Sequence, residues 1–187
     1  MIGATVLAAG ASRRLGRSKQ LLKLDGVPFV RHAAECAAEA SERLAVVVGC
    51  GAETVVESLS GVQFDPLYNL FWSEGIASSI RVAVDWARRH ELEALLLVLC
   101  DQPHLNVEHL QRLRARYEEC GLAVASRYAG TIGAPAIFPA GHYDELSRLE
   151  GDRGAARILR EGPAVEVVEF PRGEIDVDTE AEARPFR

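Results

Sequence analysis

No apolar stretch of the sequence is long enough to cross a membrane. The longest uninterrupted apolar run, residues 94–100, falls far short of the ~20 residues that span a bilayer. The first residues also lack the positively charged leader that precedes the apolar segment of a secretory signal. We therefore expect neither a membrane partner nor export, and we expect the protein to act in the cytoplasm.

Cysteine is scarce, and basic residues are outnumbered by acidic ones. The four cysteines (Cys36, Cys50, Cys100 and Cys120) have no C-x-x-C spacing and lie in apolar or helical patterns, which predicts buried, reduced thiols rather than disulfides or a zinc site. With 21 lysines and arginines against 27 aspartates and glutamates, the formal net charge is −6. Because a nucleic-acid backbone requires a basic face, this balance argues against a nucleic-acid partner.

Several familiar catalytic and nucleotide-binding motifs are also missing. The histidines are scattered, and neither H-E-x-x-H nor G-x-S-x-G occurs, so the sequence offers no obvious catalytic nucleophile. Gly49 and Gly51 in "VVVGCGAET" begin a dinucleotide-binding pattern, but Thr54 stands where the third glycine belongs and no acidic residue ends a strand ~20 positions later. We interpret these two glycines as a tight strand-to-helix turn.

What the sequence does contain is an alternation of strand-like and helix-like patterns over 187 residues, a length that suits a single domain spanning residues 1–187. Apolar runs without polar alternation predict strands buried on both faces, as in a parallel sheet, at residues 4–7, 44–48, 95–99, 122–125 and 165–168. Apolar residues at helical spacing predict helices at residues 28–40, 54–59, 77–89, 107–117 and 143–149.

This alternation predicts an α/β fold, a Rossmann-like three-layer sandwich in which helices flank a mostly parallel sheet. Ligands of such sheets bind beyond the carboxyl ends of the strands, so functional residues are expected in the loops that follow strands. Residues 130–139 are rich in glycine and proline, and we interpret them as a functional loop with a short strand. Asn106 is predicted to cap the helix over residues 107–117, and Cys120-Gly121 to end it.

A cluster of cations follows the first predicted strand, in "LAAGASRRLGRSK". Gly10 opens this loop, where a residue without a side chain lets backbone N–H groups approach an anion closely. Positive charge around it comes from Arg13, Arg14, Arg17 and Lys19. The spacing of Gly10 and Gly16 does not match a P-loop, so the loop taken alone is equally well explained as a solvated basic turn.

A carboxylate ends the most apolar predicted strand, in "LLLVLCDQPHL". Asp101 at the mouth of a parallel strand can hold Mg²⁺ against phosphate oxygens, because a hard divalent cation takes oxygen ligands and needs few from the protein. The alternative role, capping the next helix, suits Asn106 better. Asp176 and Asp178 could supply another oxygen ligand, or could instead cap a short helix towards the end of the sequence.

Six stretches in sequence order resemble the nucleotidyltransferases that complete the molybdenum cofactor, and within them the cytidylyltransferase group: "LAAGASRRLGRSKQLL", "EGIASSI", "CDQPHL", "GAPAIF", "LEGDRGAARIL" and "DVDT". The resemblance runs over nearly the whole chain. It implies a nucleotide-diphospho-sugar transferase-like form of the predicted fold, Mg²⁺ as cofactor, and CTP and molybdopterin as substrates. It further implies a molybdenum hydroxylase or its maturation factor as the partner that receives the product.

Carried over to this sequence, the resemblance implies that Arg14, Lys19 and Asp101 are catalytic and that Asp101 and Asp178 bind the metal. The residues it implies for nucleotide binding are Leu7, Ala8, Ala9, Gly10, Ser12, Gly75, Ser78 and Ser79. Those that match a loop associated with the pterin substrate are Gly151, Asp152, Gly154 and Arg157. Relatives that attach guanosine carry Gly-Gly where this sequence has Ala9-Gly10, which favours CTP over GTP.

Two other functions remain open from the sequence. A nucleotidyltransferase for a sugar phosphate or an isoprenoid alcohol phosphate would share the same sheet, loop and metal, although "CDQPHL" and "GDRGAARIL" favour the cofactor group. A cofactor carrier without nucleotide chemistry would explain a pocket, but not the combination of Arg14, Lys19 and Asp101.

Overall fold

A seven-stranded β-sheet forms the centre of the protein in a computed structural model that describes residues 1–12, 16, 18–162, 164–177 and 180–183. The strands are β1 (Ile2–Ala8), β2 (Lys23–Leu24), β3 (Val27–Pro28), β4 (Arg43–Val48), β5 (Asp65–Tyr68), β6 (Ala94–Leu99), β7 (Ala123–Tyr128), β8 (Thr131–Pro139) and β9 (Val165–Glu169). The helices are α1 (Phe29–Ala38), α2 (Ala52–Ser58), α3 (Ile76–Arg89), α4 (Val107–Cys120), α5 (Tyr143–Ser147), α6 (Ala156–Glu161) and α7 (Glu180–Ala183).

The sheet has the strand order β5-β4-β1-β6-β8-β7-β9, and β8 alone among these runs antiparallel to its neighbours. The strands β2 and β3 form a separate small hairpin. Because β1 and β6 are parallel neighbours, with Leu7 opposite Leu99, the chain leaves both strands at the same edge of the sheet. The antiparallel strand β8, which places Ala136 opposite Leu97, begins at that same edge.

Helices cover both faces of the sheet. On one face α1, α2 and α4 pack against residues such as Val46 and Val98, and on the other α3, α5 and α6 pack against residues such as Leu95 and Phe138. All four of these strand side chains are fully buried. Since neither face meets water, the central strands carry apolar residues at successive positions, which is the pattern seen in the sequence.

The predicted α/β fold with a mostly parallel sheet is confirmed. The strands predicted from apolar runs are present as β1, β4, β6, β7 and β9, and the predicted helices as α1 to α5. Asn106 caps α4 by accepting a hydrogen bond of 2.9 Å from the His109 N–H. Gly121 ends α4 at a φ of 67°, and Gly51 makes the tight turn into α2 at a φ of 68°. All four cysteines are free thiols, of which Cys36 and Cys100 are buried.

Several elements differ from the predictions, among them the short strands β2 and β3, which were not predicted. The edge strand β5 contains Pro66 and has no apolar run from which it could be predicted. Residues 130–139, predicted to be a loop with a short strand, contain the nine-residue strand β8. Pro135 is tolerated there because the pairing with β7 shifts between Ala125 and Ser126, so its missing N–H falls outside the regular ladder. The six-residue helix α6 is too short for its periodicity to be recognised.

In the described part of the chain, no helix combines the length and the apolar character that a membrane span requires.

Candidate functional site

A cleft of about 380 Å³ lies beyond the carboxyl ends of β1 and β6, where the loops with the basic cluster and the aspartate meet. The residues of the sequence-based site that line it are Leu7, Ala8, Ala9, Gly10, Lys19, Gly75, Ser79, Asp101 and Asp152. Gln20, Trp72 and Ile76, which the sequence did not single out, line it as well. Residues that are more than 100 positions apart in the sequence therefore converge on one space, hereafter called the cleft.

Lys19 and Asp101 form an ion pair in the cleft, in which Lys19 Nζ contacts Asp101 Oδ2. Lys19 begins a 3₁₀ turn, Lys19–Leu21, and Asp101 directly follows β6 and Cys100. Their side chains are 20% and 14% exposed, so both charges are largely removed from water. A cation and a carboxylate held together in this way can bind an anion and a metal ion side by side.

Gln20 holds the loop after β1 in shape, a role that its sequence pattern did not reveal. Its side chain is 1% exposed. Nε2 donates to the carbonyls of Ala8 at 3.0 Å and Gly10 at 2.5 Å, and Oε1 accepts from the hydroxyl of Ser18 at 2.7 Å. Because these carbonyls are bonded to Gln20, the negative ends of their dipoles do not face an anion in the cleft unshielded.

Ser12 closes the same loop and is not among the residues that line the cleft. Its Oγ accepts a hydrogen bond of 2.9 Å from the Lys19 N–H and donates to Gln20 Oε1 at 3.3 Å. The backbone of Ser12 takes a positive φ of 50°. The serine thus fixes the start of the Lys19–Leu21 turn. Arg14, predicted to be catalytic, lies outside the described residues.

Asn69 connects the end of β5 to the first turn of α3. Its buried Nδ2 donates to Ser78 Oγ at 2.8 Å and to Ser79 Oγ at 3.0 Å. Ser78 Oγ donates to the Gly75 carbonyl at 2.8 Å, so the proton of this hydroxyl is already in a hydrogen bond at the start of α3. Ser79 lines the cleft and accepts from Asn69, which orients its hydroxyl so that its own proton can be donated to a ligand.

Gly75 is required where two segments of the cleft wall touch. Its φ is +107°, and a Cβ at this position would lie 2.5 Å from Asp152 Oδ1 and from the Gly151 carbonyl. The Gly151 carbonyl also accepts a hydrogen bond of 3.1 Å from the Ala77 N–H. The segment predicted to contact the pterin is therefore locked against the start of α3, which brings Asp152 into the cleft.

Two predicted site residues stand apart from this arrangement. Arg157 lies on the outer side of α6, where its Nε pairs with Glu161 at 2.9 Å and its side chain is 53% exposed, and it does not line the cleft. Asp178, predicted to be the second metal ligand, lies outside the described residues. Val177, just before it, is buried in one cluster with Leu22 and Phe29. The segment that ends at Val177 therefore packs against residues that follow Lys19 in the sequence.

Gln102 joins three loops at the cleft edge of the sheet. Its side chain is 5% exposed, and Nε2 donates to the carbonyls of Ala134 at 3.1 Å and Gly173 at 3.0 Å. Its buried Oε1 has no hydrogen-bond partner in the part of the chain that the structure describes. The loop that carries Asp101 is thereby fixed to the beginning of β8 and to the segment that follows β9.

The described residues contain no group of three histidine, cysteine, aspartate or glutamate side chains that could hold a metal ion by themselves. Cys100 lines the cleft, but burial and the neighbouring Asp101 carboxylate raise the pKa of its thiol to about 12, so it stays neutral. Asp101 and Asp152 are the described carboxylates that line the cleft. Since Mg²⁺ usually takes one or two carboxylates and fills its other positions with water and substrate phosphates, this donor set fits Mg²⁺ held jointly with a nucleotide.

The sequence matches a family model described as the MobA-like NTP transferase domain, over residues 4–167. The match contains the cleft residues Lys19 and Asp101 together with the loops that carry them. The chain therefore belongs to the MobA-like NTP transferase family and is a nucleotidyltransferase of that type.

Relatives of known name carry several activities. The purine catabolism protein PucB of Bacillus subtilis is 30% identical over 83% of this chain and 79% of its own length. The nicotine blue oxidoreductase of Paenarthrobacter nicotinovorans is 31% identical over 93% of this chain and 90% of its own. The molybdenum cofactor guanylyltransferase of Rhodobacter capsulatus is 31% identical over 61% of this chain and 58% of its own.

Solved structures confirm the fold. Rv0371c of Mycobacterium tuberculosis superposes with a TM-score of 0.81 at 30% identity, over 98% of this chain and 96% of its own. A complex of Rv0371c with manganese superposes with a TM-score of 0.76 at 28% identity, over the same shares of 98% and 96%. Manganese is thus bound by a protein with the same fold.

Proposed function

We propose that the protein transfers CMP from CTP to the terminal phosphate of molybdopterin, with Mg²⁺ as cofactor, and that residues 1–187 act as one nucleotidyltransferase domain. The observation that carries this proposal is the meeting of Lys19 and Asp101 in one cleft. Nucleotidyl transfer needs a cation beside the triphosphate and a carboxylate for the metal at the same place. A molybdenum hydroxylase or its maturation factor would then receive the product.

The donor nucleotide would lie in the cleft with its phosphates against the loop after β1. Lys19 would neutralise the triphosphate, and the shape that Gln20 gives this loop would let its backbone approach the phosphates. Ser79 would donate a hydrogen bond from the opposite wall. Arg14 would add a second cation, as the family resemblance implies.

Asp101 would hold Mg²⁺, with Asp178 as a second ligand implied by the resemblance. The bound metal would supply positive charge to the phosphate oxygens on which negative charge develops. Asp152, the other described carboxylate that lines the cleft, would be a further oxygen ligand for the metal.

The transfer itself requires little covalent chemistry from the protein. A terminal phosphate oxygen of the acceptor attacks the α-phosphorus in line and forms a new P–O bond. The bond from the α-phosphorus to the bridging oxygen breaks, and its electron pair leaves with pyrophosphate. The attacking phosphate is largely ionised at neutral pH because its second pKa is about 6, so no general base is needed. The lack of a nucleophile motif in the sequence is consistent with this chemistry.

CTP is proposed as the donor because Ala9 occupies a position where guanosine-attaching relatives carry glycine. Ala9 is 4% exposed and lines the cleft. Its carbonyl accepts a hydrogen bond of 3.0 Å from the Cys50 N–H, which fixes the backbone and therefore the methyl group. With the base of the nucleotide beside Ala9, that methyl group would take space that a larger purine base would need. GTP is the competing donor, since some relatives are named molybdenum cofactor guanylyltransferases.

The test is incubation with molybdopterin, Mg²⁺ and either CTP or GTP, followed by mass analysis for the dinucleotide and by measurement of pyrophosphate. We expect the cytosine dinucleotide. A guanine dinucleotide would replace CTP by GTP and keep the transfer chemistry. If pyrophosphate appears only with a sugar phosphate or an isoprenoid alcohol phosphate, molybdopterin is not the acceptor.

Calorimetry distinguishes a cofactor carrier from an enzyme. We expect CTP to bind with Mg²⁺ present and to bind much more weakly without it, because Asp101 acts on the phosphates through the metal. A protein that bound molybdopterin but showed no metal-dependent binding of CTP or GTP would be a carrier, and the proposed reaction would be rejected.

A further inference from the structure

The amide of Gln102 is held in one orientation by two distant segments of the chain. Its Nε2 donates to the Ala134 carbonyl at 3.1 Å, near the beginning of β8, and to the Gly173 carbonyl at 3.0 Å, in the turn after β9. The reverse orientation would place Oε1 against both carbonyl oxygens, so these two bonds fix the direction of the amide. Asp101, the residue before Gln102, is therefore attached through it to both segments.

The other atom of this amide shows that filling space is not its purpose. Oε1 is buried and has no hydrogen-bond partner among the residues that the structure describes. A buried acceptor without a partner lowers the stability of a protein. A methionine would fill the same space without such an acceptor, so the presence of an amide is explained by the two bonds that Nε2 donates.

One of these bonds holds a segment that crosses from β7 towards α1. This segment, residues 170–177, follows β9 and is hereafter called the strap. At one end of the strap the Phe170 N–H donates to the Arg127 carbonyl of β7 at 2.8 Å. At the other end Val177 is fully buried in one cluster with Phe29, the first residue of α1. The bond from Gln102 fastens the strap between these two ends.

The strap carries acidic residues towards the loop that contains Asp101. Asp176 belongs to the strap, and Asp178, proposed above as the second metal ligand, follows it in the sequence. Burial and the carboxylates of Asp101 and Asp176 raise the pKa of Tyr128, which indicates that both carboxylates lie near one phenol. Gly173, where the strap is fastened, precedes these acidic residues by a few positions. Their placement relative to Asp101 therefore depends on that fastening.

We propose that Gln102 is a positioning residue for the metal: it holds the strap against the loop of Asp101 and so fixes the spacing between that carboxylate and the acidic residues of the strap and beyond it. This inference rests on the proposed function, because it takes Asp101 as a ligand of Mg²⁺. Gln102 does not line the cleft, so it acts through the ligands and not on the substrates. Replacing groups that orient metal ligands in this way typically changes metal affinity by about 10–100-fold.

The first test removes the two donated bonds and keeps the volume of the side chain. Gln102→Met does this, because methionine has a similar length and shape and no polar hydrogen. Gln111→Met makes the same change at an exposed position of α4 and is the matched control.

The second test loosens the strap at its far end and leaves Gln102 in place. Val177→Ala removes two methyl groups from the buried end of the strap. Val55→Ala makes the same change at an equally buried position of α2, which does not line the cleft, and so serves as the control for a general loss of stability. Thermal melting is measured for all variants.

Metal binding is followed with Mn²⁺, whose electron paramagnetic resonance signal reports the free ion, so no turnover is needed. We expect Gln102→Met to bind Mn²⁺ about tenfold more weakly than the unmodified protein, Val177→Ala severalfold more weakly, and both controls equally well. In assays of pyrophosphate release, the Mg²⁺ concentration that gives half the maximal rate should rise by a similar factor in Gln102→Met. The value of kcat at saturating Mg²⁺ should change much less, because the substrates still meet the same cleft residues.

Unchanged Mn²⁺ affinity in Gln102→Met would overturn the inference, and so would an equal loss in Val55→Ala, since affinity would then follow stability alone. If Gln102→Met does not fold, unchanged affinity in Val177→Ala has the same meaning. Failure of the proposed function has a different signature. If Mn²⁺ affinity responds as expected but no acceptor yields pyrophosphate, the transfer reaction is rejected and the positioning role of Gln102 stands. An unmodified protein that bound no Mn²⁺ would refute both.

Discussion

Lys19 and Asp101, 82 positions apart in the sequence, pair in the cleft through Nζ and Oδ2. Each side chain neutralises the charge of the other. Without this partner, each charge would be largely removed from water and unpaired, which is strongly unfavourable. Binding of a triphosphate with its Mg²⁺ would replace this one ion pair by two, with Lys19 on phosphate oxygens and Asp101 on the metal. The pair thus keeps both groups oriented towards the same point before the substrate arrives.

Replacing Asp101 by asparagine should remove metal-dependent turnover while the fold survives. The amide keeps the shape of the side chain but is a much weaker ligand for Mg²⁺, and loss of one oriented charge contact in a transition state typically lowers the rate by about 10²–10³-fold. Lys19→Ala should lower kcat/KM for the nucleotide by a similar factor. Turnover is measured by pyrophosphate release, and retention of the fold by circular dichroism.

The control for Lys19→Ala is Lys23→Ala, because Lys23 is an exposed cation on β2 only four positions away. Activity of the Lys23 variant should equal that of the unmodified protein. Equal losses in both variants would mean that the general basic character of the segment matters and not the contact between Lys19 and Asp101.

Gln20→Leu should weaken nucleotide binding more than it slows the chemical step. The variant keeps an apolar side chain of similar size but leaves the carbonyls of Ala8 and Gly10 without their donor, at a cost of roughly 1–3 kcal/mol for each buried group. The loop after β1 would then relax. We expect KM for the nucleotide to rise about tenfold or more with a smaller change in kcat, and the melting temperature to fall.

The exposed glutamine Gln63 provides the matched control for this prediction. Gln63→Leu should leave both kinetic constants unchanged. If Gln20→Leu lowers the melting temperature but leaves KM untouched, the glutamine stabilises the fold without shaping the nucleotide loop.

Ala9→Gly should shift the choice of nucleotide towards GTP. Removing the methyl group enlarges the cleft beside the base, and a change of this size in a close-fitting pocket is worth about 10–200-fold in discrimination. The ratio of kcat/KM for CTP to that for GTP should therefore fall at least severalfold. An unchanged ratio would place nucleotide selection at other residues.

His109 makes stability dependent on pH below neutrality. The ring is fully buried, its Nε2 lies 2.7 Å from Ser126 Oγ, and it stacks on Phe170 with centroids 4.2 Å apart. Burial and the charge of Arg112 lower its pKa from 6.5 to about 4. Between these values the unfolded chain binds a proton that the folded protein does not, so stability falls as the pH falls through this window.

The loss should amount to about 2 kcal/mol between pH 7.5 and pH 5, measured as the free energy of unfolding in urea. His109→Gln cannot take up the proton, so its stability should change less over the same interval, whatever its stability at pH 7.5. An equal change in both proteins would assign the pH dependence to other groups.

The central strands and the two charged loops could be predicted because each depends on residues close together in sequence. Strand β6 is a continuous apolar run, and Asp101 follows it at once, so the edge of the sheet where this carboxylate lies follows from the direction of the strand. The nearness of Lys19 follows in turn from β1 and β6 being parallel neighbours in this fold.

Gln20 and Asn69 could not be found in this way because their roles are hydrogen bonds to other segments. Nothing in the local pattern distinguishes Gln20 from an exposed glutamine, yet it bonds to carbonyls 10 and 12 positions earlier. The outward position of Arg157 likewise depends on which side of the short helix α6 meets the sheet.

Strand β8 runs against its neighbours, so its first residues lie at the edge where β1 and β6 end. The hairpin at Ala129 and Gly130, which leads into β8, therefore lies beyond the same edge of the sheet as the cleft. Its length and sequence can change the surroundings of the cleft while β1 and β6 continue to position Lys19 and Asp101.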